Sequence, residues 1–291
     1  MSEEPSAGAA MSGVVAVIGA GTMGAGIAQC LAQVGRDVVV VEPDPAAVER
    51  ARRGLGASVR LALLLGHGDR GVARDAARRV RWVARIEELG EVEFVIECVT
   101  ERIELKERLF GELDRCCPAD AVLASCTSAI PIARLAAATA RPDRVLGLHF
   151  MNPAPLTEAV EVVRGAQTSA STLDRARSLL AELGKTAIVV GDRAGFVLNR
   201  LLMLSIAEAA DTLGTGTDAQ TVDALFEQCL GHRMGPLRTA DLIGLDNVAD
   251  TIAVLRQETG AAHYRVPPAL AALVAAGHFG RKTGQGFHDY R

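Results

Sequence analysis

A glycine-rich turn near the amino terminus constrains the fold of this chain more than any other feature. Residues 14–26 read Val-Val-Ala-Val-Ile-Gly-Ala-Gly-Thr-Met-Gly-Ala-Gly, so a GxGxxG motif directly follows a β-branched apolar run and opens a helical pattern. Gly19 permits the tight turn, Gly21 lets the backbone approach a pyrophosphate, and Gly24 lets helix and strand pack closely. The motif predicts a dinucleotide site; a glycine turn of another nucleotide-binding fold or of a methyltransferase is the alternative.

The residue after the next strand favours NAD over NADP. The apolar run Val38–Val41 is followed by Glu42. A carboxylate at this point accepts hydrogen bonds from the adenosine ribose hydroxyls and repels a 2′-phosphate, although arginines lie not far downstream. The start of the helix after the turn adds free N–H groups for phosphate oxygens. We therefore expect the following residues to contact NAD: Gly19, Gly21, Thr22, Met23, Gly24 and Glu42.

Short apolar runs alternate with helical patterns through the first two-thirds of the chain. Most are β-branched and continuous, which is typical of strands covered on both faces. The alternation predicts an α/β, Rossmann-type, doubly wound sheet that is mainly parallel. The runs are Val14–Ile18, Val38–Val41, Phe94–Cys98, Ala121–Ala124, Val145–Phe150, Val160–Val163 and Ala187–Val190.

The pattern changes after Gly191, where helix follows helix and the strand runs stop. The segment Gly195–Leu213 is apolar on most sides, as a buried or interface helix would be. Thr217-Asp-Ala-Gln220 fits a capping box at the start of the next helix. We therefore predict three segments: a disordered tail (1–12), an NAD-binding Rossmann domain (13–191), and a smaller all-helical domain for substrate binding and dimerisation (192–291).

Composition excludes several functional classes. The net charge is −4, without the clustered basic surface that nucleic-acid binding needs. No apolar stretch reaches the roughly 18 residues needed to span a bilayer, and the amino terminus lacks the pattern of a secretory signal, so a cytoplasmic location is expected. The six cysteines and six histidines show no metal-ligand spacing, which predicts unpaired thiols and no metal.

One histidine occupies a place suited to proton transfer. His149 ends a predicted sheet strand, and ligands in such folds bind at the carboxyl edge of the sheet. Glu161 follows in another apolar run, where a carboxylate can fix the imidazole tautomer and stabilise its cation. From spacing alone, a hydrogen-bonded core histidine is an equally good interpretation.

Ordered motifs from about Val14 to the C-terminus make the chain resemble the short-chain L-3-hydroxyacyl-CoA dehydrogenase family, which includes bacterial 3-hydroxybutyryl-CoA dehydrogenases. They are GAGTMGAGIAQ, VIECVTERIELKERLF, ASCTS, GLHFMNPAP, VEVVRG, GDRAGFVLNRLL, MGPLRTADLIGLDN and GRKTGQGFHDY. The resemblance implies an NAD-dependent enzyme that oxidises a 3-hydroxyacyl thioester or catalyses the reverse reaction.

The resemblance also implies residue roles. His149 corresponds to the family's catalytic base and Glu161 to its partner. Ser128 and Asn199 correspond to residues that position the reacting oxygen and the thioester carbonyl.

Three further residues correspond to positions near the cofactor. Asn152 corresponds to an asparagine on the nicotinamide side, and Glu101 and Lys106 to residues that line the cofactor. In this family the second domain is helical and builds a homodimer.

Departures from the family pattern concern the substrate. Leu65 and Glu158 stand where relatives usually carry lysines. The asparagine of the usual SNTS motif is Cys126, and a segment usually like MGPFEL is MGPLRT, which introduces Arg238 and Thr239. A shift from lysine to arginine through codon usage explains neither leucine nor glutamate at these positions.

Loss of positive charge near the expected coenzyme A entrance suggests a substrate not bound as free coenzyme A. The hypothesis is a short, polar acyl group carried by an acyl carrier protein, of the glyceryl type used for polyketide extender units. Candidate substrate contacts are Ser58, Thr157, Arg238 and Thr239. The alternative is an ordinary short-chain 3-hydroxyacyl-CoA dehydrogenase.

Other classes fit less well. The β-hydroxyacid dehydrogenases use a catalytic lysine, and Lys185, the one lysine near a possible site, is interpreted as a turn residue. Dehydrogenases of free hydroxy acids share the histidine and glutamate. A non-enzymatic NAD-binding protein would not need the complete set of Ser128, His149, Glu161 and Asn199.

Overall fold

The computed structural model describes residues 13–64, 75–214 and 216–291, without the side chains of residues 57–64. The tail predicted for residues 1–12 lies outside the described residues. The chain divides into two compact units. The first unit ends at Asp192 and excludes the short segment Ser128–Pro131, which groups with Arg193–Arg291 in the second unit.

The first unit is built on a sheet whose eight strands, among the described residues, lie in the order β3-β2-β1-β4-β5-β6-β7-β8. Neighbours from β3 to β6 pair in parallel, β7 is antiparallel to β6, and β8 is parallel to β7. The strands are β1 (Val15–Ile18), β2 (Val38–Val41), β3 (Val80–Val83), β4 (Phe94–Glu97), β5 (Val122–Ser125), β6 (Val145–His149), β7 (Ala159–Arg164) and β8 (Thr186–Gly191).

This strand order confirms the predicted Rossmann-type sheet and shows where it can bind a ligand. The chain moves outward from β1 to β3 on one side and from β4 onward on the other, so β1 and β4 flank the switch point. Ligands of doubly wound sheets bind at the carboxyl ends of the strands at that point. Gly19 follows β1 and Cys98 follows β4, so the GxGxxG turn lies at the switch point.

All seven predicted apolar runs form strands, and β3 is an addition that the sequence did not indicate. Its residues read Val-Arg-Trp-Val, and only Val80 is buried. Because β3 is an edge strand, it needs no continuous apolar run, so its sequence lacks the signal that identified the others.

Helices of the first unit connect the strands, and the apolar faces of the first, second and fifth of them share one core with β1, β2 and β4. They are α1 (Thr22–Gln33), α2 (Pro45–Leu64), α3 (Ile103–Cys116), α4 (Ile132–Ala136) and α5 (Ala170–Glu182). Short 3-10 turns cover Ala77–Arg79, Ile86–Glu88, Pro142–Arg144 and Ala154–Leu156. Within the described part of the chain, no helix is long and apolar enough to cross a membrane.

The second unit is helical, as the sequence predicts, and has its own apolar core around Met203, Ile206 and Leu255. Its helices are α6 (Leu198–Asp211), α7 (Ala219–Leu230), α8 (Pro236–Ile243), α9 (Leu245–Thr259) and α10 (Pro268–Ala275), followed by a 3-10 turn at Arg281–Thr283. The predicted capping box at Thr217 is wrong by one residue. Asp218 is the N-cap of α7 and accepts from the Thr221 N–H at 2.7 Å, because a carboxylate caps N–H groups as well as a hydroxyl does.

Candidate active site

The antiparallel pairing of β6 with β7 joins the two residues proposed for proton transfer. His149 and Glu161 are direct cross-strand partners, and their Nδ1 and Oε2 atoms lie 2.8 Å apart. Only 4% of His149 and 8% of Glu161 is exposed. With Nδ1 held by the carboxylate, Nε2 is the ring nitrogen that can exchange a proton with a substrate. This geometry is the one that a histidine general acid–base requires.

The loop between these strands carries Asn152 and is held by Lys185. The Lys185 Nζ donates to the carbonyls of Ala154 at 2.7 Å and Thr157 at 2.5 Å. Lys185 is 8% exposed and directly precedes β8. It is thus a buried support for the loop beside His149 and not merely the turn residue that its sequence context suggests.

The geometry of the GxGxxG turn fits a dinucleotide pyrophosphate. Gly19 has a φ of 99°, a backbone conformation that residues other than glycine rarely adopt. A Cβ on Gly24 would lie 1.9 Å from the Gly19 carbonyl oxygen, whereas a Cβ on Gly21 would meet nothing within 4 Å. The backbone is thus tightly packed at Gly24, whereas the space beside Gly21 is free for a ligand. Helix α1 starts at Thr22 without a side-chain cap.

Glu42 lies beside this turn. Its Oε2 accepts from the Ala20 N–H at 2.9 Å and its Oε1 from the Asp44 N–H at 3.0 Å. These bonds fix the carboxylate, and each oxygen keeps a lone pair for a ribose hydroxyl. The Glu42 carboxylate is therefore fixed beside the turn with acceptor capacity left for a ligand.

Lys106, expected to line the cofactor, belongs to a buried charge cluster. Its Nζ lies 2.7 Å from Glu97 Oε1 and 3.4 Å from Glu101 Oε2, and 1% of the residue is exposed. Burial alone would lower the pKa of Lys106, but the two carboxylates outweigh it and raise the pKa. The lysine remains charged, and the half-buried Glu101 is the member nearer the surface.

Glu97 organises this cluster and was missed in the sequence. It is fully buried and accepts from Ser125 Oγ at 2.6 Å and the Val99 N–H at 2.7 Å. Thr127 Oγ1 donates to Glu101 at 2.5 Å. An acid inside the apolar run of β4 was the available signal, because a buried carboxylate requires a partner.

Ser128 and Asn199 meet within the second unit. The Asn199 Nδ2 donates to the Ser128 carbonyl at 2.9 Å, and the Gly195 N–H donates to Ala129 O at 3.0 Å. Asn199 is buried near the start of α6. The segment after β5 is thereby fixed to the helical unit, and two of the proposed substrate-positioning residues are brought together.

The weaker substrate candidates have other contacts. The Thr157 hydroxyl lies 3.4 Å from the carbonyls of Met151 and Ala154. Ser58 lies in α2, but its side chain is outside the described set, and Leu65 falls wholly outside it.

Arg238 and Thr239 lie in the first turn of α8. The Thr239 hydroxyl donates to Gly235 O at 2.8 Å, which is an ordinary bond inside a helix. The Arg238 Nε lies 3.7 Å from both Asp223 Oδ2 and Glu227 Oε1. The helix therefore accounts for the Thr239 hydroxyl, whereas the buried Arg238 Nε has no hydrogen-bond partner among the described residues and only these two longer ion-pair contacts. Among the described residues, no three His, Cys, Asp or Glu side chains form a group that could hold a metal ion.

Comparison with known proteins identifies relatives over nearly the whole chain. Residues 14–193 match the family described as 3-hydroxyacyl-CoA dehydrogenase, NAD binding domain, and residues 195–290 match its C-terminal domain. The probable 3-hydroxybutyryl-CoA dehydrogenase of Bacillus subtilis is 39% identical over 277 residues, which cover 95% of this chain and 96% of that protein. The 3-hydroxybutyryl-CoA dehydrogenase of Bradyrhizobium diazoefficiens is 40% identical over 287 residues and 95% of each chain.

A solved structure shows the same fold. FadB2 of Mycobacterium tuberculosis superposes with a TM-score of 0.92 at 38% sequence identity, and the match covers 97% of this chain and 100% of that one.

Proposed function

This chain belongs to the 3-hydroxyacyl-CoA dehydrogenase family, and from that premise we propose that it interconverts a short-chain 3-hydroxyacyl-CoA and its 3-oxoacyl-CoA. It is an NAD-dependent oxidoreductase. The buried His149–Glu161 pair, with 2.8 Å between Nδ1 and Oε2, is the observation that supports the proposal most strongly. A buried acid–base pair of this kind is what removal of a hydroxyl proton requires.

In the proposed mechanism, the GxGxxG turn (Gly19, Gly21 and Gly24) and Glu42 would hold NAD, which would supply the hydride acceptor for carbon 3 of the acyl chain. His149 Nε2 takes the proton of the 3-hydroxyl group, and Glu161 stabilises the imidazolium that forms. In the reverse direction, His149 donates this proton to the oxygen of the 3-oxo group. Ser128 and Asn199 orient the reacting oxygen and the thioester carbonyl, and Asn152 lies on the nicotinamide side.

Removing the Glu42 carboxylate is expected to change cofactor affinity. Glu42→Ala loses a charged acceptor for the ribose hydroxyls, which weakens NADH binding roughly tenfold, and it removes the repulsion of a 2′-phosphate. We expect the ratio of NADH to NADPH affinity, measured by fluorescence titration, to fall toward one. The matched control is Glu49→Ala, which removes an exposed acid paired with Arg53 on α2. An unchanged ratio in Glu42→Ala would remove Glu42 from cofactor recognition.

The carrier of the acyl group separates the two substrate hypotheses. The names of the relatives support coenzyme A, whereas Glu158 at an expected lysine position favours an acyl carrier protein. We expect kcat/KM to be at least about tenfold higher for acetoacetyl-CoA than for acetoacetyl-carrier protein, as an enzyme that binds the coenzyme directly gains contacts to it. The reverse preference would support carrier delivery, with glyceryl-carrier protein as the next substrate to assay.

A homodimer formed through the helical unit is a further part of the proposal. Exposed apolar side chains support it: Val197, Leu198, Leu201, Leu225 and Leu230 are 42% to 65% exposed, and clustered exposed apolar side chains are typical of interfaces. Light scattering is expected to give twice the chain mass of 30.5 kDa. A mass of one chain at micromolar concentration would contradict the dimer.

A further inference from the structure

Two cysteines lie side by side at the switch point of the sheet. Cys98 and Cys126 directly follow β4 and β5, whose last residues, Glu97 and Ser125, are parallel register partners. The Cys126 N–H donates to Glu97 O at 2.7 Å, which continues the pairing of the two strands. Neighbouring strands lie about 4.8 Å apart, and this spacing falls inside the Cα–Cα range of roughly 4.4–6.8 Å that a disulfide spans.

The side chains as well as the backbones are adjacent. Both side chains pack against the same apolar core, and the Cys98 thiol donates to the Ile96 carbonyl at 3.7 Å. The interaction of the two neighbouring thiols is the main reason that the pKa of Cys126 is lowered and that of Cys98 is raised. Burial opposes the effect at Cys126, and the charges of Lys106 and Glu97 act on it in opposite directions. Cys126 is therefore the member that more readily becomes a thiolate.

All six cysteines are outside disulfides, and these two differ from the other four in their burial. Cys98 and Cys126 are half-buried, whereas Cys30 and Cys117 are buried and Cys116 and Cys229 are exposed. A partly accessible thiolate beside a second thiol is the arrangement found in redox-sensitive cysteine pairs. The prediction of unpaired thiols from spacing thus does not contain this juxtaposition, which only the fold creates.

The pair also lies against the cofactor turn. A Cβ on Gly19 would be 3.0 Å from the Cys98 carbonyl oxygen, so the GxGxxG turn packs directly on this residue. Dinucleotides cross the carboxyl ends of the strands that flank the switch point. A bound NAD would therefore cover the two thiols. A displacement of Cys98 would also shift the turn that holds the pyrophosphate, because the two are in contact.

We propose that Cys98 and Cys126 form a peroxide-sensitive dithiol beneath the NAD site, which closes to a disulfide when NAD is absent and is protected when NAD is bound. The Cys126 thiolate attacks hydrogen peroxide, which gives a sulfenic acid and releases hydroxide. The Cys98 sulfur then displaces the sulfenic hydroxyl, which leaves as water after taking up a proton. In sum, two thiols lose two protons and two electrons, and one peroxide becomes two waters.

Thermodynamic linkage gives the functional consequence. If NAD binds better to the dithiol than to the disulfide, oxidation must weaken NAD binding by the same factor by which NAD opposes oxidation. Couplings of this kind usually amount to about 5- to 150-fold. Peroxide would thus inactivate the enzyme reversibly while its cofactor site is empty. This inference requires NAD binding but is independent of which acyl group is the substrate.

The test treats the reduced, full-length enzyme with hydrogen peroxide, with and without NAD, and counts free thiols after denaturation. Without NAD we expect two of six thiols to be lost and recovered with dithiothreitol. With NAD at about 100 times its Kd, about 1% of the enzyme is unliganded, so the oxidation rate should fall roughly 100-fold. Fluorescence titration of the oxidised enzyme should show NADH affinity reduced by about 5- to 150-fold.

Peptide mapping identifies the partners. Trypsin leaves Cys126 on the same fragment as Cys116 and Cys117, and cleavage at Asp120 separates it from them. We expect a Cys98–Cys126 link in the wild type and in the control Cys116→Ser, and none in Cys126→Ser or Cys98→Ser. A link to another cysteine, equal oxidation rates with and without NAD, or unchanged NADH affinity after oxidation would each overturn the proposal. The wild-type map alone decides the pairing if either serine variant folds poorly.

Discussion

Replacing His149 by glutamine lowers kcat by about 10²- to 10⁴-fold, the usual contribution of a positioned general acid–base, and leaves NADH affinity nearly unchanged. Glutamine keeps an N–H that can donate to Glu161, so the buried carboxylate is not left without a partner, but it has no basic nitrogen to accept the hydroxyl proton. Steady-state rates with acetoacetyl-CoA measure kcat, NADH titration measures cofactor affinity, and circular dichroism shows whether the variant is folded.

Two matched variants make the His149 result specific. Glu161→Gln keeps the histidine but removes the charge that stabilises the imidazolium, so we expect a smaller loss, about 10- to 100-fold. His288→Gln changes another partly buried histidine, whose Nε2 lies 2.7 Å from the Asp223 carboxylate, and should leave kcat within about threefold. A His149→Gln enzyme that retained most of its wild-type kcat would remove this residue from the proposed chemistry.

Replacing Glu97 by alanine is expected to lower the free energy of unfolding by about 3–5 kcal/mol, because it breaks a buried ion pair and leaves one charge behind. Lys106 would keep Glu101 at 3.4 Å and the Val99 carbonyl at 3.2 Å, but would lose its 2.7 Å contact. The Ser125 hydroxyl and the Val99 N–H would lose an acceptor as well. Urea denaturation of the apoprotein is the measurement.

The double variant Glu97→Ala/Lys106→Met shows how much of the lost stability comes from breaking the ion pair and how much from leaving a buried charge without its partner. Removing both partners should restore a large part of the lost stability, since the remaining cost is then mainly one of packing. Asp246→Ala, which breaks the more exposed Lys282–Asp246 pair, is the control and should cost less than about 1 kcal/mol. A loss below about 1 kcal/mol in Glu97→Ala would show that the cluster is not a stabilising element.

The sequence predicted best those parts of the fold that depend on local periodicity. Seven apolar runs became strands, and most of them are continuously apolar because the strand is covered on both faces. The edge strand β8 is apolar although none of its residues is buried. The edge strand β3 escaped because only one of its four residues is buried and its sequence is not continuously apolar. The cap of α7 was misplaced by one residue, from Thr217 to Asp218, because both residue types cap helices and periodicity does not choose between them.

The sequence predicted those site residues that belong to a local motif. It was less informative for residues that come together only through the pairing of strands in the sheet. The GxGxxG turn and Glu42 follow from sequence spacing alone. His149 and Glu161 could be nominated, but their contact depends on the antiparallel register of β6 and β7. Register also creates the juxtaposition of Cys98 with Cys126, which no spacing rule along the chain contains.

Lys106 shows the limit of inference by resemblance. The family pattern places it beside the cofactor but does not indicate the buried contact with Glu97 that the structure shows. Its burial could not be predicted from the pattern of α3, because a lysine is normally read as a solvent-facing residue until its carboxylate partners are known.

The most direct test of the proposed function is NADH absorbance followed during reaction with acetoacetyl-CoA. The proposal predicts oxidation of one NADH per molecule of thioester consumed, at a rate that saturates with acetoacetyl-CoA and that falls by at least about 100-fold in His149→Gln. Absence of turnover by wild-type enzyme that still binds NADH would contradict a short-chain 3-hydroxyacyl-CoA substrate.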